Sequence, residues 1–400
     1  MTWKTKLVFG ALATLLAPLA AQAAEPVRIG ILEDMSSSYS DITGRGSVVA
    51  AQMAIDDFGG KVLGRDIVLV WADHQNKPDV ASGVARKWYD EDGVSLITGL
   101  GNTAVAVAVR SLARERGAID IVASAASPVL DHAQCSPTGF HWSYNTYSNS
   151  KVIAKAVTEA GGKNWYFLTT NYAFGTAIQN DMSHFIDQAG GKVLGSVKMP
   201  LGTLDFSSFL LQAQSAKPDI VSIAAGGADF VNALKQAKEF GLTQTIKGLS
   251  GTVVFVQDVH ALGASTAQGL YLAEAYYWDL DDKTRAFAKR FEAKMNMKPN
   301  TIHAGNYSAV LHYLKAVQAA GTLEPAAVAA KMRDLPVEDF FTQGARVRPD
   351  GVVARDLHLF RVKAPQDMKS PWDLYTLVST VPGQDAYWPL SQSECAYLKK

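Results

Sequence analysis

Gly-Gly-Lys-Val-Leu-Gly occurs twice in this chain, at residues 59–64 and again at 190–195, and each copy stands at the same point of a larger pattern. Val48, Ala51, Ile55 and Phe58 recur with helical spacing before the first copy, and Ile178, Met182, Phe185 and Ala189 do so before the second. Glycine ends a helix at little cost because it accepts positive φ, and the Val-Leu pair then leads into the next strand. Equivalent placement in two series predicts two lobes of shared topology.

Working outward from the copies, short β-branched runs alternate with helical segments almost without interruption. The first series predicts strands at 27–32, 67–72, 94–98 and 119–123, and the second at 165–169, 192–198, 219–224, 246–249 and 270–273. Such alternation calls for parallel sheets with crossover helices, an α/β chain of two Rossmann-like lobes. Residues 104–109 alternate like a strand, but Val105, Val109 and Leu112 also fit a helix, and the strand just before them favours helix. Two long helices follow at 282–297 and 301–320, carrying Phe287, Phe291, Met295 and Tyr307, Leu311, Leu314; shorter strands come at 357–362 and 374–380. The last thirty residues read as a tail laid over the surface.

The first 23 residues read as a cleavable export signal. Lys4 and Lys6 precede an uncharged apolar run from Leu7 to Ala21, and Ala21-Gln22-Ala23 supplies the small residues of a cleavage site, with the cut expected after Ala23. The run is shorter than the roughly 18–20 residues that span a bilayer. Export places the mature protein in the periplasm, away from ATP. Hydrophobic residues at 48% and charged ones at 19% describe a globular chain, and 38 bases balance 38 acids, so nothing here attracts nucleic acid or anionic lipid. Cys135 and Cys395 are the two cysteines, and an oxidising compartment favours joining them into a disulfide that pins the tail.

Catalytic constellations are missing. The eight histidines make no metal-ligand spacing with one another or with the cysteines, and neither a metal nor another cofactor is expected. Gly248-Leu249-Ser250-Gly251-Thr252 misses the spacing of a serine elbow. Residues 190–196 lack the Gly-Lys-Ser/Thr ending of a phosphate loop. A periplasmic hydrolase would need a nucleophile beside a base, and no such pair is found, so the chain is read as a non-enzyme.

What remains is small and polar residues where strands hand over to helices, the ends at which open parallel sheets hold ligands. The first series offers Ser37 and Tyr39, then Asn102 and Thr103 opening a helix, then Ala125 and Ser127; Asn102 or Thr103 can cap one helix and Ser127, before Pro128, the next. Free backbone N–H groups beside such caps suit a carboxylate. The second series offers Tyr172 and Phe174, then Gly226, then Thr252, and two rings in one loop could clamp an apolar group. Asp229 is read as a helix cap. Trp142, Tyr144 and Tyr147 lie where the chain passes between lobes, and either line the cleft or pack the hinge.

In this order the residues resemble a family: the exported solute-binding proteins of ABC importers, of the leucine/isoleucine/valine-binding type. The resemblance is carried by Ile29-Gly30-Ile31 leading to Met35-Ser36-Ser37, the helix from Gly44 to Phe58, Asn171-Tyr172-Ala173-Phe174-Gly175, the stretch 234–242, and Asn306-Tyr307-Ser308. It implies two lobes joined by a three-stranded hinge, 24–143 plus 277–345 and 144–276 plus 346–385, with 386–400 as the tail. It also implies a monomer that encloses a small-molecule solute and presents the shut form to a membrane permease. By the same resemblance the loops at Asn102-Thr103 and Ala125–Ser127 grip a carboxylate while the Tyr172–Phe174 loop covers the solute. One departure bears on specificity. Branched-chain binders of this type place an acid in the second-lobe strand-end loop to pair with the ammonium, whereas Ser250-Gly251-Thr252-Val253 has none. An unpaired buried ammonium costs several kcal/mol, which favours an organic acid, aromatic acids among them, over an α-amino acid unless Asp229 reaches the site. An exported sensory module for a signalling receptor is the alternative reading.

Overall fold

The computed structural model describes residues 1–3 and 25–398; nearly all of the expected export signal lies outside them. Two sheets organise the rest. The first has six strands in the spatial order Lys61–Val62, Arg65–Asp73, Val27–Glu33, Val94–Gly99, Ile119–Val122, Gly139–His141, parallel apart from the short first one. The second has seven, in the order Tyr375–Val381, Leu357–Val362, Tyr271–Glu274, Gly248–Gly251, Ile220–Ala224, Asn164–Thr170, Lys192–Met199; the first two run antiparallel to their neighbours and the rest are parallel. The nine strands expected in the two series are all present, their ends shifted by up to two residues. The three-residue strand Gly139–His141 was not expected, because so short a run carries no periodicity.

Helices cover both sheets. Gly44–Phe58 and Thr301–Ala320 share one core with Phe287 and Phe291, so the late helices return to the first sheet. Residues 104–109 are helical, within Thr103–Arg116, which Gly117 ends in the left-handed conformation. The chain therefore passes from one sheet to the other after His141, returns after Glu274, and passes again before Leu357.

The two hexapeptide copies fold differently. In the first, Lys61–Val62 pairs antiparallel with Arg65–Asp66 around Leu63 and Gly64, at φ 51° and 75°, a tight hairpin ahead of the long strand. In the second, Lys192 to Gly195 lie within a strand, and the register against Asn164–Thr170 skips Leu194. Both copies follow a long helix; only the second enters the next strand directly.

Behind the first sheet, Arg110 and Asp120 form a fully buried ion pair at 2.8 Å. The remaining guanidinium donors go to the carbonyls of Leu130 at 2.5 Å and Phe140 at 2.7 Å, fixing the loop after Ile119–Val122. Cys135 and Cys395 are joined with Cα atoms 5.6 Å apart, across a sequence separation of 260. The tail that this bond pins lays Trp388 on Tyr147, with ring centroids 3.9 Å apart.

Candidate functional site

A parallel sheet opens a crevice where its strand order reverses, at the carboxyl ends of the strands on either side. In the first sheet that point lies between Val27–Glu33 and Val94–Gly99, and in the second between Asn164–Thr170 and Ile220–Ala224. The loops leaving these strands meet. Between them lies a cavity lined by Tyr39, Thr43, Gly101, Thr103, Ser124, Ala125 and Ala126 on one side and Tyr172, Phe174, Gly226 and Val253 on the other, with Ile42, Tyr144 and Ile302 completing it.

Asp34 builds the first of these loops. Its carboxylate accepts the backbone N–H groups of Ser37 and Tyr39, both at 2.8 Å, the Ser37 hydroxyl at 2.7 Å and the Asn76 amide at 2.8 Å. The turn so fixed points Tyr39 across the cleft, where its hydroxyl hydrogen-bonds that of Tyr172. Burial pushes both phenols up, so the pair carries no charge. Beside it, the Ala228 N–H donates to the Ser38 carbonyl at 3.1 Å. Gly227 permits this approach twice over: its φ is 57°, and a β-carbon there would lie 2.4 Å from the Ser38 oxygen.

The opposite floor is the amino terminus of the helix Thr103–Arg116. Asn102 caps it, accepting the N–H groups of Ala104 at 2.8 Å and Val105 at 3.3 Å, which leaves that of Thr103 without an intrahelical partner. Thr103 Oγ1 is buried with no partner among the described residues. Tyr144 closes the far end, its hydroxyl donating to the Ser124 carbonyl at 2.9 Å and its ring edge-on to Phe255. The cavity measures about 20 Å³, room for one or two waters where one needs ~10–15 Å³. The halves are thus in contact, and the space between them is too small for a molecule of several carbons.

Of the residues singled out in the sequence, Tyr39, Thr103, Ala125, Tyr172, Phe174 and Gly226 line this cavity, and Asn102 supports it as the cap. Ser37, Ser127 and Thr252 lie off it: Ser37 is turned to Asp34, while Ser127 and Thr252 are buried outside the lining. Ser127 makes no capping bond, because Pro128–Leu130 is a single 3₁₀ turn. Asp229 is not a cap either; Gly226 takes that position, and the Asp229 carboxylate accepts the Gly202 N–H at 3.1 and 3.0 Å. Tyr144 lines the cavity, whereas Trp142 donates to Ser308 within the first core and Tyr147 lies under Trp388. Thr43, Ser124 and Val253 were missed. Thr43 and Ser124 stand in loops where neighbouring serines gave the stronger signal, and Ile302 comes from a helix remote in sequence.

A larger groove, about 490 Å³, lies among the crossings and is lined by Tyr276, Phe341, Arg355 and Gly383. It sits at neither reversal of strand order, and the Arg355 donors are already taken by Thr342, Ser308 and the Trp142 carbonyl. Among the described residues no cluster of His, Cys, Asp and Glu could hold a metal ion, and no helix is long and apolar enough to cross a membrane.

The fold and the paired crevices have known counterparts. A crystal structure of a periplasmic binding protein from Burkholderia mallei is 44% identical, with a TM-score of 0.92 over 94% of this chain and 100% of that one. A solute-binding protein of an ABC transporter from Rhodopseudomonas palustris BisB5, in complex with 3,4-dihydroxybenzoic acid, shares the fold at 21% identity, with a TM-score of 0.81 over 90% of this chain and 98% of that one. The Leu/Ile/Val-binding protein homolog 6 of Brucella melitensis is 24% identical over 262 residues, 64% of this chain and 66% of its own, so that match spans just under two thirds of the relative. The family model described as periplasmic binding protein matches residues 26–367, and the chain belongs to that family.

Proposed function

We propose that this protein, exported to the periplasm, captures a small organic acid between its halves and delivers it to the membrane permease of an ABC importer. Aromatic acids are favoured over α-amino acids. One observation carries the preference: no acidic or basic side chain lines the cavity. Asp229, the acid that could have met an ammonium, is engaged by Gly202 instead. A carboxylate needs only donors, and the Thr103 hydroxyl and first-turn N–H offer them at the positive end of a helix. The rings of Tyr172 and Phe174, 5.8 Å apart, suit an apolar or aromatic body.

The lobes are proposed to be 24–143 plus 277–345 and 144–276 plus 346–385, with 386–400 as the tail, moving about the three crossings in a monomer. A solute touching both lobes stabilises the shut form in proportion to the contacts it makes only there. No nucleophile and base face each other in the cavity, so capture without turnover is the reading. The bound 3,4-dihydroxybenzoic acid of the Rhodopseudomonas structure supports the acid, and the name of the Brucella relative supports a branched-chain amino acid. A thermal-shift panel of amino acids, amides and aromatic acids separates the two, since a ligand that binds only the folded form raises its melting point. Shifts with benzoate-type or cinnamate-type acids support the proposal. A shift confined to leucine, isoleucine and valine contradicts it.

A further inference from the structure

Glu33 ends the first strand and is fully buried, one side chain away from the cavity. Its two oxygens have different surroundings. Oε1 accepts from the hydroxyls of Ser47, at 3.2 Å, and Ser124, and from the Asn306 amide at 3.5 Å. Oε2 has no hydrogen-bond partner among the described residues. The Gly101 N–H is near enough to lower the Glu33 pKa as a donor, though it makes no well-aligned hydrogen bond to Oε2. Ser124 and Gly101 both line the cavity, and a β-carbon on Gly101 would lie 2.7 Å from Oε2. Because Gly101 has no side chain, Oε2 packs against its Cα, just behind the cavity lining.

An ionised carboxylate is costly in such a place, and it would repel an anionic solute. The neutral acid removes both penalties and has one O–H to donate. Burial drives the pKa of Glu33 up to about 8, against the opposing pull of Ser124, Ser47, Gly101 and Asn306. The titratable groups on the elements around it are Asp34, Asp73, His74, Tyr144 and His303. None of their side chains hydrogen-bonds the Glu33 carboxyl; the His74 N–H donates to the Glu33 backbone carbonyl at 2.9 Å, and the charge of Glu33 raises Tyr144.

We propose that Glu33 is a further solute-binding residue, a carboxylic acid whose Oε2–H donates through the gap at Gly101 to an oxygen of the bound anion. This rests on the acid-solute reading above. It makes Glu33 a determinant of specificity, since the protein offers a proton donor where an ionised side chain would exclude a carboxylate. It also ties capture to protonation: the anion is held while Glu33 is neutral and released as Glu33 ionises.

The test is calorimetric titration of the full-length mature protein with benzoate, 4-hydroxybenzoate and cinnamate from pH 6 to pH 9.5, on wild type, Glu33→Gln and Glu33→Leu. Wild-type Kd should hold nearly constant up to about pH 7, then weaken toward tenfold per pH unit above pH 8. Glu33→Gln, which keeps a donor, should bind at pH 7 and lose the pH dependence. Glu33→Leu should bind about tenfold more weakly and be equally flat. If Glu33→Leu fails to fold, the flat profile of Glu33→Gln decides. Acids that bind all three proteins with one Kd and one pH profile overturn the role of Glu33 alone. If none of the acids binds wild type, the acid-solute reading fails and this proposal fails with it.

Discussion

The two walls of the cavity are made by the same construction, loops at the carboxyl ends of parallel strands beside a reversal of strand order, and they differ in chemistry. Apart from Tyr39, the first wall is small and polar: Thr43, Gly101, Thr103, Ser124 and the backbone at Ala125 and Ala126. The second is mostly bulky and apolar, with Tyr172, Phe174 and Val253 around Gly226. One wall offers donors at a helix terminus, and the other offers two of the three rings that meet across the cavity. In the proposed reading, a shared topology fixes where a solute sits, while the loop residues decide which end of it each lobe holds.

The largest effect should come from undermining the first wall from behind. Arg110→Met leaves Asp120 buried without its partner and frees the carbonyls of Leu130 and Phe140, which should cost about 3–5 kcal/mol of unfolding free energy in a denaturant titration. Among the described residues, no ion pair packed on the second sheet is fully buried.

Glu33 makes the first wall sensitive to pH. Its folded pKa of about 8 lies above the unfolded value of 4.5, so between those values the folded state holds the extra proton. Stability should therefore fall as pH rises from about 4.5 to about 8 and level off beyond. The penalty at pH 7 is on the order of 3 kcal/mol. Melts of Glu33→Gln across this range should lose the Glu33 share of the slope and keep the share of Asp181 and Asp258, which burial raises to about 7.

Joining the walls depends on Gly227. Gly227→Val places a β-carbon against the Ser38 carbonyl at a positive φ and should weaken solute binding by about 100-fold, because the shut form no longer seats. Gly226→Ala meets Phe174 at an ordinary 3.7 Å and should stay within about twofold. Equal losses in the two variants would show that the lobes do not meet at Ser38.

The smallest effects sharpen the comparison itself. Phe174→Ala should weaken aromatic acids about tenfold and spare aliphatic ones. Thr103→Val should weaken both alike, about fivefold, since it removes a donor to the shared carboxylate. Titrations with benzoate and a short aliphatic acid compare them, and identical solute profiles for the two variants would remove the division of labour between walls.

Much of the architecture was legible because its signals are periodic and repeated. Alternating strands and helices gave two parallel sheets, and Thr301–Ala320 matched its expected span at both ends. The hexapeptide shows where local reading stops. Val62 is buried in the first core and the chain turns back at Leu63-Gly64, whereas Val193 pairs beside Trp165 in a continuing strand. Identical residues took the conformation that their neighbours could pack.

The cavity was legible where a strand-end loop presents a ring or a helix start, as at Tyr39, Thr103, Tyr172 and Phe174. It was not legible one residue further on. Thr252 was singled out and Val253 lines the cavity, a shift that reverses which side chain faces in. Glu33 stood unread at the end of its strand, because nothing local shows that it packs against Gly101 behind the cavity. Ser127 and Asp229 carry the composition of caps, yet one precedes a turn too short to need capping and the other is claimed by a backbone N–H from a distant loop.

Calorimetric titration of wild-type protein at pH 7 with 4-hydroxybenzoate and, separately, with leucine tests the central claim most directly. One equivalent of the aromatic acid should bind while leucine gives no heat of binding. Tight binding of leucine with none of the acid would contradict a cavity built for a solute without an ammonium group.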